Sequence, residues 1–170
     1  MSTKLKIAAN RKDAGKIVDL WREAEKRIVF TNGCFDILHM GHIQFLEEAK
    51  NLGDKLIIGV NSDESVKRLK GTIRPINKEH SRLYLLASLT CVDCVVLFDE
   101  DTPYELIRFL NPDILVKGGV YQPDEIVGAD LVMDRGGIVK SLKYVEGFST
   151  SSIESKILQL HASGKDNKFK

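Results

Sequence analysis

The chain has 170 residues, 43% of them hydrophobic and 29% charged, with a formal net charge of +1. This suits one α/β domain with a sizeable core and supplies no general pull toward a polyanion, so no nucleic-acid partner is expected. No apolar run is long enough to span a bilayer, and residues 1–10 lack the apolar centre of a secretory signal. No membrane partner and a cytoplasmic location are therefore expected, with the cysteines as reduced thiols.

Residues 13–26 have helical spacing, with Ile17, Leu20, Trp21 and Ala24 on one apolar stripe. Residues 27–31 read as a short buried strand, ended by Asn32-Gly33, and a loop follows to Gly41. A second helix is predicted over 42–52 from Ile43, Phe45, Leu46 and Ala49, with Gly53 as its stop signal. Residues 55–60 form the next strand, and Asn61, Ser62 or Asp63 caps a helix running through Leu69. Residues 70–78 break the pattern as a basic loop carrying Gly71, Arg74 and Pro75.

Helical spacing returns over 79–90, and 93–98 is a third strand. Thr102-Pro103 reads as an N-cap followed by proline at the first helical position, and that helix ends near Asn111-Pro112. Residues 114–116 are a fourth strand closed by Lys117-Gly118-Gly119; 123–134 are helical in part, 138–142 are the last strand, and 151–161 the last helix. Residues 1–162 are predicted to be a single domain and the lysine-rich residues 163–170 a frayed tail. Strands that are apolar on both faces and alternate with helices predict a parallel sheet covered on both sides. In such sheets ligands bind beyond the carboxyl ends of the strands, so chemistry is sought in the loops that follow them.

Cys91-Val92-Asp93-Cys94 has the spacing of half a zinc or redox site, but no second pair of ligands matches it, and inert buried thiols are the favoured reading. The loop after the first strand, Thr31 to His42, fits neither a dinucleotide fingerprint nor a P-loop. It places His39 and His42 at the mouth of a helix, where free N–H groups and the helix dipole favour an anion. Gly41 between them lets backbone and ligand approach closely. Taken alone, the pair also suits a metal site completed by Cys34 or Asp36, or plain polar residues near a helix cap.

The whole segment resembles the GxFDxxHxGH signature of the cytidylyltransferase-like nucleotidyltransferases. Asn61-Ser62-Asp63, Arg82, Val92-Asp93 and Gly147-Phe148-Ser149-Thr150-Ser151 resemble further family motifs in the same order. Within that group the chain is most similar to the bacterial D-glycero-β-D-manno-heptose 1-phosphate adenylyltransferases. The likeness is carried by Phe30 to Asp36, Arg68-Leu69-Lys70-Gly71 with Arg74-Pro75, Val116 to Gly119, Ile126 to Asp130, and Val145 to Thr150. Val120 stands where the family usually has Asp, and Ser151 where it often has Thr.

The resemblance implies a Rossmann-like nucleotidyltransferase fold and transfer of AMP from ATP, with Mg2+, to a heptose 1-phosphate. Lipopolysaccharide core biosynthesis is the setting it implies, and it leaves room for a homo-oligomer such as a dimer. His39, His42 and Lys70 are the implied catalytic residues. Thr31, Asn32, Gly33, Cys34, Phe35, Asp36, Gly41, Lys117, Gly118, Gly119, Ser149, Thr150 and Ser151 would hold the nucleotide. Asp63, Arg74 and Arg82 would contact substrate or support the site. No resident protein-bound metal is expected. A cytidylyltransferase acting on glycerol 3-phosphate, a nucleotide-binding regulator and a metal-dependent hydrolase are the competing functions.

Overall fold

The computed structural model describes residues 2–143 and 147–162. Val145 and Glu146 of the late motif, and the predicted tail at 163–170, lie outside the described residues. Among the described residues six parallel strands form one sheet: β1 (Ile7–Ala8), β2 (Ile28–Gly33), β3 (Lys55–Asn61), β4 (Cys94–Phe98), β5 (Ile114–Gly118) and β6 (Ile138–Leu142). Among the same residues seven α-helices surround it: α1 (Arg11–Glu23), α2 (Met40–Lys50), α3 (Asp63–Lys70), α4 (Glu79–Ser88), α5 (Tyr104–Leu110), α6 (Ala129–Met133) and α7 (Thr150–Ala162).

The two sheet faces are each apolar and each covered. Ile28, Phe30, Ile57, Val96 and Leu115 pack with Ala14 and Val18 of α1 and Leu106, Ile107 and Leu110 of α5. The alternate residues Val29, Leu56, Ile58, Val60, Val95 and Val116 meet Phe45, Leu46 and Ala49 of α2 and Leu86 and Ala87 of α4. A period of two on double-sided strands produces this division, and it is why the strand sequences are nearly all apolar.

The strand order is β1-β4-β3-β2-β5-β6. From β2 the chain builds outward through β3 to β4, then returns to the other side of β2 to lay down β5. The order therefore reverses between β2 and β5, and a crevice opens past their carboxyl ends, the position where doubly wound sheets bind ligands.

Three details depart from the expectations. The edge strand β1 precedes the predicted elements; it is two residues long and pairs with Val95 and Val96. In α1 the buried residues are Ala14 and Val18, flanked by Ile17 and Trp21, while Leu20 is 64% exposed. Small side chains let this helix approach the sheet closely, so the larger Leu20 is not on the core face. Helix α5 starts one residue late, with Pro103 as its N-cap and Thr102 ahead of it. Cys94 is buried and its thiol is pushed up to about 12 by burial, and Cys91 is also raised by burial, as suits inert core thiols.

Candidate functional site

A cleft of about 400 Å³ opens at the β2/β5 reversal. Its walls include Asn32 and Gly33 from the end of β2, Cys34 to Asp36 from the loop after it, His42 from α2, Lys70 from the end of α3, Lys117 and Gly118 from β5, and Thr150 from α7. A recess of about 290 Å³ adjoins it, lined by His39, His42, Phe148, Ser149 and Thr150. His42 and Thr150 are shared, so the histidine pair stands between the two spaces.

The loop after β2 owes its shape to buried contacts. Phe35 is held at φ +48°, a left-handed conformation rare for an aromatic residue, with its ring buried against Gly33. The same ring meets His42 edge-on at 5.4 Å. A side chain on Gly33 would approach the Phe35 ring to 3.0 Å, so the glycine leaves room for this fold-back. Gly41 is similarly confined, because a Cβ there would lie 3.1 Å from Phe148 and 3.2 Å from His39 Nδ1. The close approach of α2 to the segment leading into α7 thus depends on that glycine.

His39 is the N-cap residue of α2 and His42 lies in its first turn. Their rings stack with centroids 3.8 Å apart. Both Nδ1 atoms are buried without a hydrogen-bond partner among the described residues. Burial pushes the His42 pKa down to about 4, with further lowering by His39 and Lys70. Burial also lowers that of His39. At neutral pH the pair is therefore uncharged, and each ring carries one N–H donor and one acceptor. Unpaired polar atoms in a buried site are costly unless a ligand satisfies them.

Positive charge flanks the pair. Lys70 is exposed and forms no ion pair among the described residues. Burial lowers the pKa of Lys117, whose ammonium donates only a long hydrogen bond to Asn32 Oδ1 at 3.5 Å. Ser149 caps α7, its Oγ accepting from the Ser152 N–H at 3.0 Å, which leaves Thr150 facing the cleft and Ser151 exposed.

Other predicted site residues are buried or engaged within the protein. Thr31 is fully buried in β2 and does not line the cleft, and its Oγ1 has no partner. Gly119, at φ +134°, lies beneath the Tyr121 ring. Arg82 is buried and donates to the carbonyls of Cys34 (2.6 Å) and Asn77 (2.9 Å) and to Asp63 Oδ1 (2.9 Å). Asp63 and Arg82 thereby brace the β2 loop from below. Asp36 borders the cleft but is buried, and its carboxylate accepts from the N–H groups of Ile76 and Asn77 and from Arg74. Burial works to raise its pKa, but these three donors prevail and hold it below the usual carboxylate value. Arg74 is likewise committed, to Asp36 and to Glu154.

Thr102, Pro103, Tyr121 and Val127 line the cleft although none of them is among the predicted site residues. The signal available for the first two was position alone, just after the carboxyl end of β4. Val120, where the resembled family usually has Asp, is 87% exposed and does not line the cleft.

A cleft at a strand-order reversal, with paired helix-mouth histidines and free cations, suits an anionic nucleotide. The profile of the cytidylyltransferase-like family matches residues 30–156. The chain belongs to that family and is a nucleotidyltransferase by class. It is 55% identical over 148 residues to the bifunctional protein HldE of Wolinella succinogenes, covering 87% of this chain and 30% of that protein. The HldE of Nitratiruptor sp. is 61% identical over 132 residues, 78% of this chain and 28% of the relative. The chain thus spans about 30% of the length of the curated relatives it matches. Among solved structures, a lipopolysaccharide core biosynthesis protein from Thermoplasma volcanium GSS1 superposes with a TM-score of 0.58 at 35% identity. That match covers 71% of this chain and 97% of the other. A pantoate-β-alanine ligase from Francisella tularensis shares the fold alone, at 18% identity and a TM-score of 0.59 over 92% of this chain and 78% of its own.

Proposed function

We propose that this domain transfers AMP from ATP to D-glycero-β-D-manno-heptose 1-phosphate, forming ADP-heptose and releasing pyrophosphate. The observation that carries the transfer chemistry is the stacked, uncharged His39–His42 pair at the mouth of α2, between two spaces and beside unpaired cations. The choice of sugar rests on the resemblance of the sequence motifs and on the relatives. The name of the Thermoplasma protein supports a role in lipopolysaccharide core synthesis. The same relatives do not favour a cytidylyltransferase for glycerol phosphate.

In this reading a phosphate oxygen of the sugar attacks the α-phosphorus of ATP. The new O–P bond forms as the bond to the bridging oxygen breaks, and pyrophosphate leaves. A phosphomonoester has a second pKa of about 6, so the nucleophile is ionised at neutral pH and needs no general base. The protein's work is positioning and stabilisation of charge. His39 and His42 donate to the α-phosphate and to the leaving bridge oxygen. As neutral donors they hold the ground-state triphosphate less tightly than two cations would, and their N–H bonds strengthen as negative charge develops in the transition state. Lys70 reaches the triphosphate. Asn32, Gly33, Cys34 and Phe35 form its bed, and Thr150 with the first turn of α7 adds donors. Lys117 and Gly118, beside Gly119, border the adenine.

Magnesium enters with ATP as part of the substrate. Among the described residues no group of three His, Cys, Asp or Glu side chains is placed to hold a metal, and Asp36 is fully engaged by its own donors. Magnesium retains much of its water and binds phosphate oxygens, so it does not require such a cage. Cytoplasmic action fits the need for ATP, and no helix among the described residues is long and apolar enough to cross a membrane.

The test is pyrophosphate release with ATP or CTP against D-glycero-β-D-manno-heptose 1-phosphate or glycerol 3-phosphate. Turnover is expected with ATP and the β-heptose phosphate. Turnover with CTP and glycerol phosphate but not with ATP overturns the assigned substrates while retaining the class.

A further inference from the structure

The loop between α3 and α4 brings Arg74 beside the cleft, yet its guanidinium is directed at two carboxylates. Nη1 donates to Asp36 Oδ2 at 3.0 Å, and Nη2 to Glu154 Oε1. The Arg74 side chain is 18% exposed, that of Asp36 3% and that of Glu154 26%. Asp36 belongs to the loop after β2, and Glu154 to the second turn of α7. We propose that Arg74 is a positioning residue for nucleotidyl transfer, bolting the β2 loop to α7 so that Thr150 is presented to the histidine pair. This rests on the function proposed above.

Three observations carry it. First, the Asp36 end of the bolt is fixed from several sides. Its carboxylate also accepts from the N–H groups of Ile76 (3.0 Å) and Asn77 (2.8 Å), and its carbonyl accepts from Asn77 Nδ2 at 2.6 Å. The loop on the C-terminal side of Arg74 is thereby held against the β2 loop. Second, among the described residues no residue of α7 is buried, and Ile157 and Leu158 are 57% and 68% exposed, so a half-buried ion pair at Glu154 is a substantial part of what fixes its seat. Third, Thr150 and Glu154 are four residues apart on one helix and therefore share a face. An ion pair at Glu154 sets the rotation of α7 about its axis, and that rotation turns Thr150 toward His42 while Ser151 and Ser152 face solvent.

A planar guanidinium with a fork of donors can hold two carboxylates at once, whereas lysine offers a point charge on a flexible stem. A direct phosphate contact by Arg74 would require this arrangement to break. The two roles therefore predict different behaviour.

The experiment compares Arg74→Ala, Arg74→Lys, Glu154→Gln and the Arg74→Ala/Glu154→Gln double variant. Steady-state kinetics with ATP and heptose phosphate are paired with hydrogen exchange across the first turns of α7 in ligand-free protein. Misplacing a reacting group by about 1 Å can cost on the order of 10² in rate. Arg74→Ala is expected to lower kcat by about that factor. Glu154→Gln should reproduce part of the loss, lysine should fail to rescue, and the double variant should be no worse than Arg74→Ala alone. Exchange in the first turns of α7 should accelerate in Arg74→Ala and Glu154→Gln alike.

Wild-type kinetics in Glu154→Gln together with an active Arg74→Lys would make Arg74 a phosphate ligand and overturn the proposal. Unchanged exchange in α7 in both single variants overturns it whatever the activity. Absence of turnover in the wild type counts against the proposed substrates and leaves the exchange result to decide the bolt.

Discussion

At the amino ends of the strands, Asp54, Asp93 and Asp113 accept the backbone N–H groups of Arg27, Leu56 and Ile28 at 2.8, 2.8 and 2.7 Å. Asp93 is further paired with Lys50 at 2.7 Å and Lys55 at 3.3 Å. At the carboxyl ends, among the described residues, His39 and His42 each bury an Nδ1 atom without a partner, and neither Lys70 nor Lys117 pairs with a carboxylate. The sheet and its helices are common to both ends. What differs is whether polar groups are satisfied by the protein itself. A self-satisfied end closes the fold, while an unsatisfied one stores capacity for a ligand at some cost in stability.

The sharpest way to break the comparison is to remove the unpaired groups. Deleting a donor that serves a developing charge typically costs about 10²–10³ in kcat. His39→Ala and His42→Ala should each lose on that order, with melting temperatures close to wild type or higher, because an unsatisfied buried group is removed. The losses should not multiply in the double variant, since both rings serve one charge.

The opposite outcome is expected at the other end. Asp93→Ala removes an acceptor from a strand N–H and two lysines, at a cost of about 2 kcal/mol or roughly 4–8 °C in Tm. Its kcat/KM should remain that of the wild type. A catalytic defect in well-folded Asp93→Ala would blur the division between the two ends.

Lys70→Ala should fall between these cases. Loss of one charge-assisted hydrogen bond to phosphate, about 1.5 kcal/mol, predicts about a tenfold fall in kcat/KM without a change in melting temperature. Wild-type kinetics would return Lys70 to a solvated helix end.

The smallest signal is a proton. With a pKa of about 4 in the folded protein and an unperturbed value of about 6.5, His42 binds a proton more readily in the unfolded chain. Its contribution to stability is whole above about pH 6.5 and falls as pH drops from there toward about 4. Ring titration by NMR should place His42 near the lower value in the free protein, and His42→Ala should flatten this part of the stability profile. A midpoint near the unperturbed value would contradict the buried, neutral pair.

The alternation of strands and helices, and the place of the HxGH element at a helix mouth, were legible because they depend on local periodicity and on neighbours in sequence. The strand pair β1–β4 was not, since two residues without alternation give no signal and the pairing partner lies far along the chain. Leu20 shares an apolar stripe with Ile17, Trp21 and Ala24 in the sequence, but the small Ala14 lets the Ala14–Val18 face approach the sheet, and Leu20 is left exposed. In the site, Asn32 to Asp36, His42, Lys70, Lys117 and Thr150 do converge on one cleft. Asp36, Arg74 and Arg82 were recognisable as important types but not by task. Their partners are long-range: Arg82 reaches the Cys34 carbonyl and Asp63, and Arg74 reaches Asp36 and Glu154. Charge identity is written in the sequence, whereas the choice between a ligand and a distant side chain is made by the fold.

The most direct test of the central claim is single-turnover pyrophosphate release from ATP with D-glycero-β-D-manno-heptose 1-phosphate, using wild-type protein and His39→Ala/His42→Ala. Nucleotide affinity is measured on both in parallel. The double variant is expected to bind ATP still while the chemical step slows by on the order of 10²–10³ or more. Release at the wild-type rate, or a loss explained wholly by failure to bind ATP, would contradict it.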